Sequence, residues 1–474
     1  MRTIALFLLL SVIAACGSSS DESDAATPGD VTSPEVTDLG STEDQLPATD
    51  TSSDLASTDL VSVDLDQETE ADAAPPPCLD EIPQLSLSAE ADLTFDLGPY
   101  VMNATPESMV IMWRTLEPCQ GTVHYGTDDL ALDLSVTDST ALVMHELLLE
   151  ELAADTRYAY QVDCGTKTSK VHHFFTAPNP GQPFRFVGWG DNQSGPEIFT
   201  GLVEQMVEYG PHMAIGVGDH VSAGSQTELW KLQLFGPGRP LFHQVPFFAA
   251  MGNHEENGID YYQLFSYPHP EDAEDPYHES YYSYTYGNAF FLVINTNGIF
   301  VPVGDVDTPV SAWIKEQVSS PAAKAATWRF AYAHEPGHTE NWSPGSCNFD
   351  GNISIGAFVV PLLEEHDFHI YFAGHTHAYE RSLQNGLVQI ITGGGGGHLD
   401  EKCFDLPQTT VNYQEHHYVQ VEAGCETLRL EAVDQFGTLF DWFELSADQP
   451  GVFTEEGPLE DLPEPIINTA ATDL

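Results

Sequence analysis

His369-Ile370-Tyr371-Phe372-Ala373-Gly374-His375-Thr376-His377 opens on β-branched and aromatic residues, turns at a glycine and closes on two histidines two positions apart. The apolar run predicts a buried strand. Imidazoles at i and i+2 do not share a helical face, where neighbours lie three and four residues apart, so the pair belongs to the turn that leaves the strand. In open α/β sheets that turn lies outside the carboxyl ends of the strands, where ligands bind. The chain has 19 histidines, so one such pair decides little, and the question is whether other strands end the same way.

They do. The apolar run 184–188 leads to Asp191, 213–217 to Gly218-Asp219, 246–250 to Gly252-Asn253-His254-Glu255, and 329–333 to His334. With 369–373, five predicted strands deliver oxygen or imidazole donors to one edge. A single aspartate at a strand end is usually a turn former or a helix cap; five donor-bearing ends in succession are not explained that way. Glycine there lets the backbone turn sharply and bring the next side chain over the sheet edge. Aspartate, asparagine and histidine together suit divalent first-row metals, and one carboxylate can bridge two ions roughly 3.5 to 4 Å apart, the arrangement that serves in-line phosphoryl displacement. Helical segments at 197–208 and 310–318 alternate with these strands, which predicts a layered α/β domain over residues 181–445.

Residues 78–180 have a different texture, with short strands at 108–114, 122–125, 145–149, 158–162 and 172–176 separated by turns, as in an all-β sandwich of about a hundred residues. Further towards the amino terminus, residues 16–77 are Ser, Thr, Asp, Ala and Pro with no Lys or Arg after Cys16, a composition that cannot bury enough apolar surface to fold and reads as an acidic tether. Residues 1–15 form a charged start and a short apolar run, read as an export signal. Residues 446–474 are rich in Asp, Glu and Pro and are expected to be a loosely held tail.

Fourteen Lys and Arg against 73 Asp and Glu leave a formal net charge of −59. Such a field repels polyanions, so nucleic acid is not an expected partner. Beyond Cys16 there are six cysteines, Cys78, Cys119, Cys164, Cys347, Cys403 and Cys425, an even number in a chain read as exported, so disulfides are expected. In an immunoglobulin-like sandwich, the loops expected to hold Cys119 and Cys164 share one end, which favours pairing them. Cys347 with Cys403 and Cys78 with Cys425 then complete one of the fifteen connectivities that six cysteines allow.

The ordered set Asp191, Gly218-Asp219, Gly252-Asn253-His254, His334 and Gly374-His375-Thr376-His377 resembles the calcineurin-like metallophosphoesterases. The longer match Gly374-His375-Thr376-His377-Ala378-Tyr379-Glu380-Arg381 resembles their purple acid phosphatase branch. The segments 108–115, Val123-His124-Tyr125-Gly126 and 152–160 are similar to that branch's fibronectin type III-like module. The similarity runs from about Pro99 to Leu445, and it implies a layered αββα sandwich behind an immunoglobulin- or fibronectin-like β-sandwich. It also implies two metal ions (iron, manganese or zinc), bridged by Asp219. Asp191 and His377 would complete one site, and Asn253, His334 and His375 the other. Metal-activated water would attack phosphorus, with His254 contacting phosphate and protonating the leaving group. His338, in the loop after His334, is a second candidate for touching substrate.

Two positions depart from the branch. Where it places a ferric-iron tyrosine, three residues after the bridging aspartate, this chain has Ser222, so a colourless enzyme is expected. The first motif reads Asp191-Asn192-Gln193, and Gln193 could supply an amide oxygen in place of that tyrosine. His212, His243, His269, His278, His366 and His369 fall off the pattern and are expected to be structural or exposed. Ile13-Ala14-Ala15-Cys16-Gly17 resembles a bacterial lipobox, which implies lipidation of Cys16 and tethering to a membrane, the outer membrane by the residue that follows, with the body periplasmic or at the cell surface. The expected activity is hydrolysis of small phosphate esters. A phosphodiesterase on the same fold and a non-catalytic surface binding protein stand as alternatives. Aromatic residues of 261–286 are expected in the core, or lining an approach to the metals.

Overall fold

The computed structural model describes residues 77–79, 81–268, 278–297, 308–457 and 462–473. The predicted export signal, lipobox, Cys16 and most of the tether lie outside them.

The larger part, from residue 184 on, is built on two seven-stranded sheets. The first runs in the order Phe247–Ala249, Met213–Gly216, Phe184–Trp189, His417–Ala423, Thr427–Asp434, Leu439–Ser446 and Gln449–Gly457. The second runs Tyr282–Tyr286, Ala289–Ile294, Trp328–Ala333, Ile370–Ala373, Leu387–Thr392, Tyr379–Gln384 and Thr409–Tyr413. In the first sheet, parallel register sets Gly216 beside both Trp189 and Ala249. In the second, Phe330 and Tyr332 pair in parallel with Ile370 and Phe372. Parallel pairing is what gathers the five carboxyl ends at a common edge in each sheet.

The strands are apolar on both faces because both are covered. In Ala289–Ile294, Phe291 and Val293 enter the core between the sheets, whereas Phe290, Leu292 and Ile294 pack with the helices Pro309–Val318 and Val360–Glu365. Across the first interface the Phe186 ring meets Phe291, Phe330 and Phe372 at 5.7, 5.5 and 6.0 Å. Helix Pro196–Tyr209 covers the first sheet with Phe199, Leu202, Val203 and Met206. Pro309–Val318 begins at a Thr308 capping box with Ser311, which satisfies two of the amide groups a helix start leaves unpaired. Tyr261, Tyr267, Tyr282, Tyr284 and Tyr286 are buried, so these tyrosines are core and not an approach to the site.

Ahead of this lie two smaller antiparallel sheets. One contains Leu97–Met102, Met109–Cys119 and Leu142–Leu149; the other contains Leu134–Thr137, Gly121–Gly126 and Arg157–Cys164, with Lys167–Thr168 and His172–Phe175 alongside. Cys119 and Cys164, expected in loops, are instead the last residues of their strands, and their disulfide ties one sheet to the other. The second and third disulfides are Cys78–Cys425 and Cys347–Cys403. The amino-terminal sheets share a continuous core with the larger part. Tyr100 and Tyr160 donate from their hydroxyls to the carbonyls of Leu264 and His243, and buried Arg239 donates to those of Asp92 and Asp96.

The carboxyl-terminal segment corrects the sequence expectation. Gln449–Gly457 is not a loose tail but the edge strand of the first sheet. Its Phe453 lies under the Arg381 guanidinium at 5.2 Å, and Glu456 pairs with that guanidinium at 2.6 Å. Further on, Asn468 is fully buried. The acidic composition hides this because Thr454, Glu455 and Glu456 face solvent while Phe453 and Asn468 do the anchoring. Among the described residues no helix is long and apolar enough to cross a membrane.

Candidate metal centre

The turns after the strands are tight. Asp191, Asp219 and His375 all adopt positive φ, at 57°, 53° and 68°, a region costing about 1–3 kcal/mol for a residue with a side chain. Three such residues at one edge mean that the surrounding contacts hold them there. The glycines before them act in two ways. Gly218 supplies a turn at φ +97°, whereas Gly252 and Gly374 allow close approach: a Cβ on them would lie 2.2 Å from an oxygen of Asp219 and of Asp191, respectively.

Four donor side chains converge. His334 Nε2 lies 3.1 Å from Asp219 Oδ2, 3.0 Å from Asn253 Oδ1 and 3.1 Å from His375 Nδ1. The tautomer of His334 follows from its other nitrogen, since Nδ1–H donates to the Val217 carbonyl at 2.9 Å and leaves the Nε2 lone pair turned inward. Beside this group, His377 Nε2 sits 3.4 Å from Asp191 Oδ1, and its Nδ1–H donates to the His398 carbonyl. The two groups are joined by the His375 amide, which donates to both Asp191 oxygens at 3.1 and 3.0 Å. Gln193 completes the second group. With its amide nitrogen donating to the carbonyls of Asp219 and Asp191, its oxygen faces His377 Nε2 at 3.3 Å.

The electrostatics call for a cation between these atoms. Burial alone would depress His334, but Asp219 overrides it and the imidazole is pushed up to about 10. His375, buried and against the charge of His334, is pushed down to about 3. Asp219 is held well below the usual carboxylate range because the charges of His334 and His254 outweigh its burial. Two carboxylates, two amide oxygens and three imidazoles fit divalent first-row ions, one of which would take the place of the proton on His334.

His254 stands at the rim. Its side chain is 44 % exposed, whereas that of His334 is wholly buried. Its Nδ1–H donates to the Ser222 carbonyl at 3.0 Å, which leaves Nε2 to face the centre, 3.9 Å from Asp219 Oδ2. Ser222, at the missing-tyrosine position, thus orients His254 through its backbone, while its hydroxyl takes a bond from Gln233. His338 is not brought into this cluster. Its Nε2 bonds Ser382 Oγ at 2.8 Å and its carbonyl accepts from Gln389, so it serves to fasten its loop to the second sheet. His212, His243 and His369 are buried, each with a backbone partner.

Sequence reasoning did not single out three supporting acids. Buried Glu255 accepts from the amides of Asp219, His220 and Gly252 at 2.9, 2.7 and 2.6 Å, clasping two ligand loops. Glu380 accepts from Thr339 and Asn341 side chains at 2.6 Å and holds the loop that follows His334. Asp400 accepts from the His377 amide at 2.9 Å. Glu255 and Glu380 lie inside the motif segments, and that position was the signal available.

Residues 184–379 match the calcineurin-like phosphoesterase family, and residues 100–176 match the purple acid phosphatase N-terminal domain. The chain is 25% identical over 327 residues to a phosphoenolpyruvate phosphatase of Allium cepa, covering 62% of this chain and 64% of that protein. It is 25% identical over 365 residues to purple acid phosphatase 23 of Arabidopsis thaliana, covering 68% and 73%. Its fold is similar to that of a purple acid phosphatase from yellow lupin (Lupinus luteus) seeds, with a TM-score of 0.60, 18% identity and coverage of 75% and 74%.

Proposed function

We propose that the chain, whose residues 184–379 match the calcineurin-like phosphoesterase family and whose residues 100–176 match the purple acid phosphatase N-terminal domain, hydrolyses small phosphate esters at a centre of two metal ions. The observation that carries this reading is the convergence of Asp219, Asn253, His334 and His375 within hydrogen-bonding distance of one another, with Asp191 and His377 adjoining.

Asp219 would serve both ions; Asn253, His334 and His375 would hold one, and Asp191, His377 and the Gln193 oxygen the other, with Gln193 in the role of the absent tyrosine. Bound ions would supply an acidified water and neutralise charge on the ester oxygens. The protein's own groups do the rest. Glu255 and Asp400 hold the ligand loops, and the His375 amide keeps Asp191 oriented. His254, steered by the Ser222 carbonyl through Nδ1–H, would in its imidazolium form give the Nε2 proton to the leaving oxygen as the P–O bond breaks, which leaves the neutral ring.

The layered αββα description and the fibronectin-like character of the first domain belong to this reading, supported by the two stacked seven-stranded sheets and the paired antiparallel sheets ahead of them. So does tethering to a bacterial outer membrane through Cys16, supported by the lipobox-like run. Movement of a Cys16→Ser chain from the membrane fraction to the soluble one is its test.

For the centre itself, elemental analysis of the purified body should give two equivalents of metal per chain without a visible tyrosinate band. Asp219→Ala should lose metal and at least a thousandfold in kcat/KM. Full activity in Asp219→Ala would sink the reading. Phosphate mono- and diesters of one alcohol, run side by side, separate phosphatase from phosphodiesterase.

A further inference from the structure

Two half-buried aromatic rings stand against the metal centre and have no part in the chemistry described above. Trp342 and Phe349 meet at 4.5 Å between ring centroids, and each packs on the ring of His375, at 5.2 and 4.9 Å. Both keep part of their surface open, and the neighbouring residues 343–345, 348 and 350 are exposed. In a chain with so acidic a surface, partly open aromatic area packed on a candidate ligand histidine is a specific feature.

The loop carrying these rings is pinned from three directions. Asn341–Trp342 pairs antiparallel with Glu401–Lys402. The Cys347–Cys403 disulfide closes the far side. From the carboxyl-terminal segment, fully buried Asn468 donates from one amide group to the carbonyls of Trp342, Ser343 and Ser346 at 3.2, 2.9 and 2.9 Å, and its oxygen accepts from the Gly345 amide at 3.1 Å. Asn468 is itself held, since its amide donates to the Lys402 carbonyl at 2.8 Å and Ile467 bridges to Lys402. Rings needed only to pad His375 would be buried by ordinary packing. Rings held rigid and left partly open form a surface that loses little entropy on receiving a flat partner.

We propose that Trp342 and Phe349 form the leaving-group subsite, selecting phosphate esters whose alcohol carries a planar aromatic ring, and that Asn468 is the positioning residue that keeps this wall in place. The inference rests on the phosphoester-hydrolase reading. The rings touch a ligand imidazole, so an ester whose phosphate sits at the metals has its leaving group within one ring's width of them. The wall adds aromatic contact and no positive charge, as Lys402, the cation on the partner strand, is already paired with Glu340 and Asp405. Selection therefore acts on ring shape and polarisability, not on extra phosphate groups.

The test uses the metal-loaded full chain with benzyl phosphate and cyclohexylmethyl phosphate, whose alcohols are similar in size and acidity and differ in having a flat π face. The wild type should favour the benzyl ester. Trp342→Ala should lower kcat/KM for the benzyl ester by about tenfold through KM, in keeping with one lost aromatic contact, and change the cyclohexylmethyl ester by less than twofold. Trp342→Phe should restore most of the preference, and Asn468→Ala should reduce it without loss of metal. An equal fall for both esters, or loss of metal from Trp342→Ala, overturns the proposal and leaves the rings as packing for His375. If the wild type cleaves neither ester while holding both metals, the hydrolase reading fails and this inference falls with it.

Discussion

Glu255 shows how a residue that touches no substrate can decide whether the centre forms. Its carboxylate accepts three short backbone hydrogen bonds from two candidate ligand loops. Glu255→Gln keeps the size but leaves an NH₂ facing amide donors, each unmet bond costing about 1–3 kcal/mol. The expected result is a loss of about 2–4 kcal/mol in denaturant unfolding, with metal content below that of the wild type; unchanged stability and metal would show the clasp to be dispensable. Its neighbours Asn253 and His254 were legible from the glycine-led motif. Glu255 was not, because its partners are backbone amides on a loop more than thirty residues away, and no spacing in the chain encodes them. His338 shows the reverse: its place four residues after His334 pointed to the substrate, but Ser382 on the second sheet claims its imidazole.

Among the elements, Ile370–Ala373 is locked at its start by His369. There Nδ1 accepts from the Arg329 amide at 3.1 Å and Nε2–H donates to the Ala447 carbonyl at 3.2 Å. The bond that Nδ1 accepts needs the neutral ring, and burial pushes the ring down to about 4. The unfolded chain takes up this proton near pH 6.5, so the contribution is complete above that pH and is lost as pH falls towards 4. Between pH 7 and 5 the loss is about 2 kcal/mol. Glu380 and Asp441, pushed up by burial to about 7 and about 6, act with the opposite sign. The measurement is therefore the difference between His369→Gln and wild type in urea unfolding at the two pH values, and relative to wild type the variant should gain about 2 kcal/mol at pH 5 compared with pH 7. Parallel curves would show that His369 is not held neutral. The strands themselves were readable because each is apolar on both faces and ends in a glycine or a donor. The strand Gln449–Gly457 was not, since an edge strand with one wet face reads as an acidic tail.

For the whole molecule, Cys78–Cys425 joins the start of the described body to the second half of the catalytic part across 347 residues. In the chain-entropy account a loop of that length is worth about 5 kcal/mol. Cys425→Ser should therefore lower the unfolding free energy by several kcal/mol while leaving the metal centre and kcat/KM intact, as read by denaturant melts and steady-state kinetics on the same preparation. A loss of activity without loss of stability would contradict a purely structural staple. The acidic field, the five donor-bearing strand ends and the candidacy of Asp191, Asp219, Asn253, His254, His334, His375 and His377 were legible in the sequence alone, because apolar periodicity, residue type and motif order are local properties. Tertiary structure decided the rest: that the two groups of ligands abut, that Glu255 and Asp400 support them, that His338 is spent on Ser382, and that Asn468 reaches back to hold Trp342 beside His375. Each of these is a contact between segments far apart in the chain, and only the parallel register of two stacked sheets and the return of the carboxyl-terminal segment bring them together.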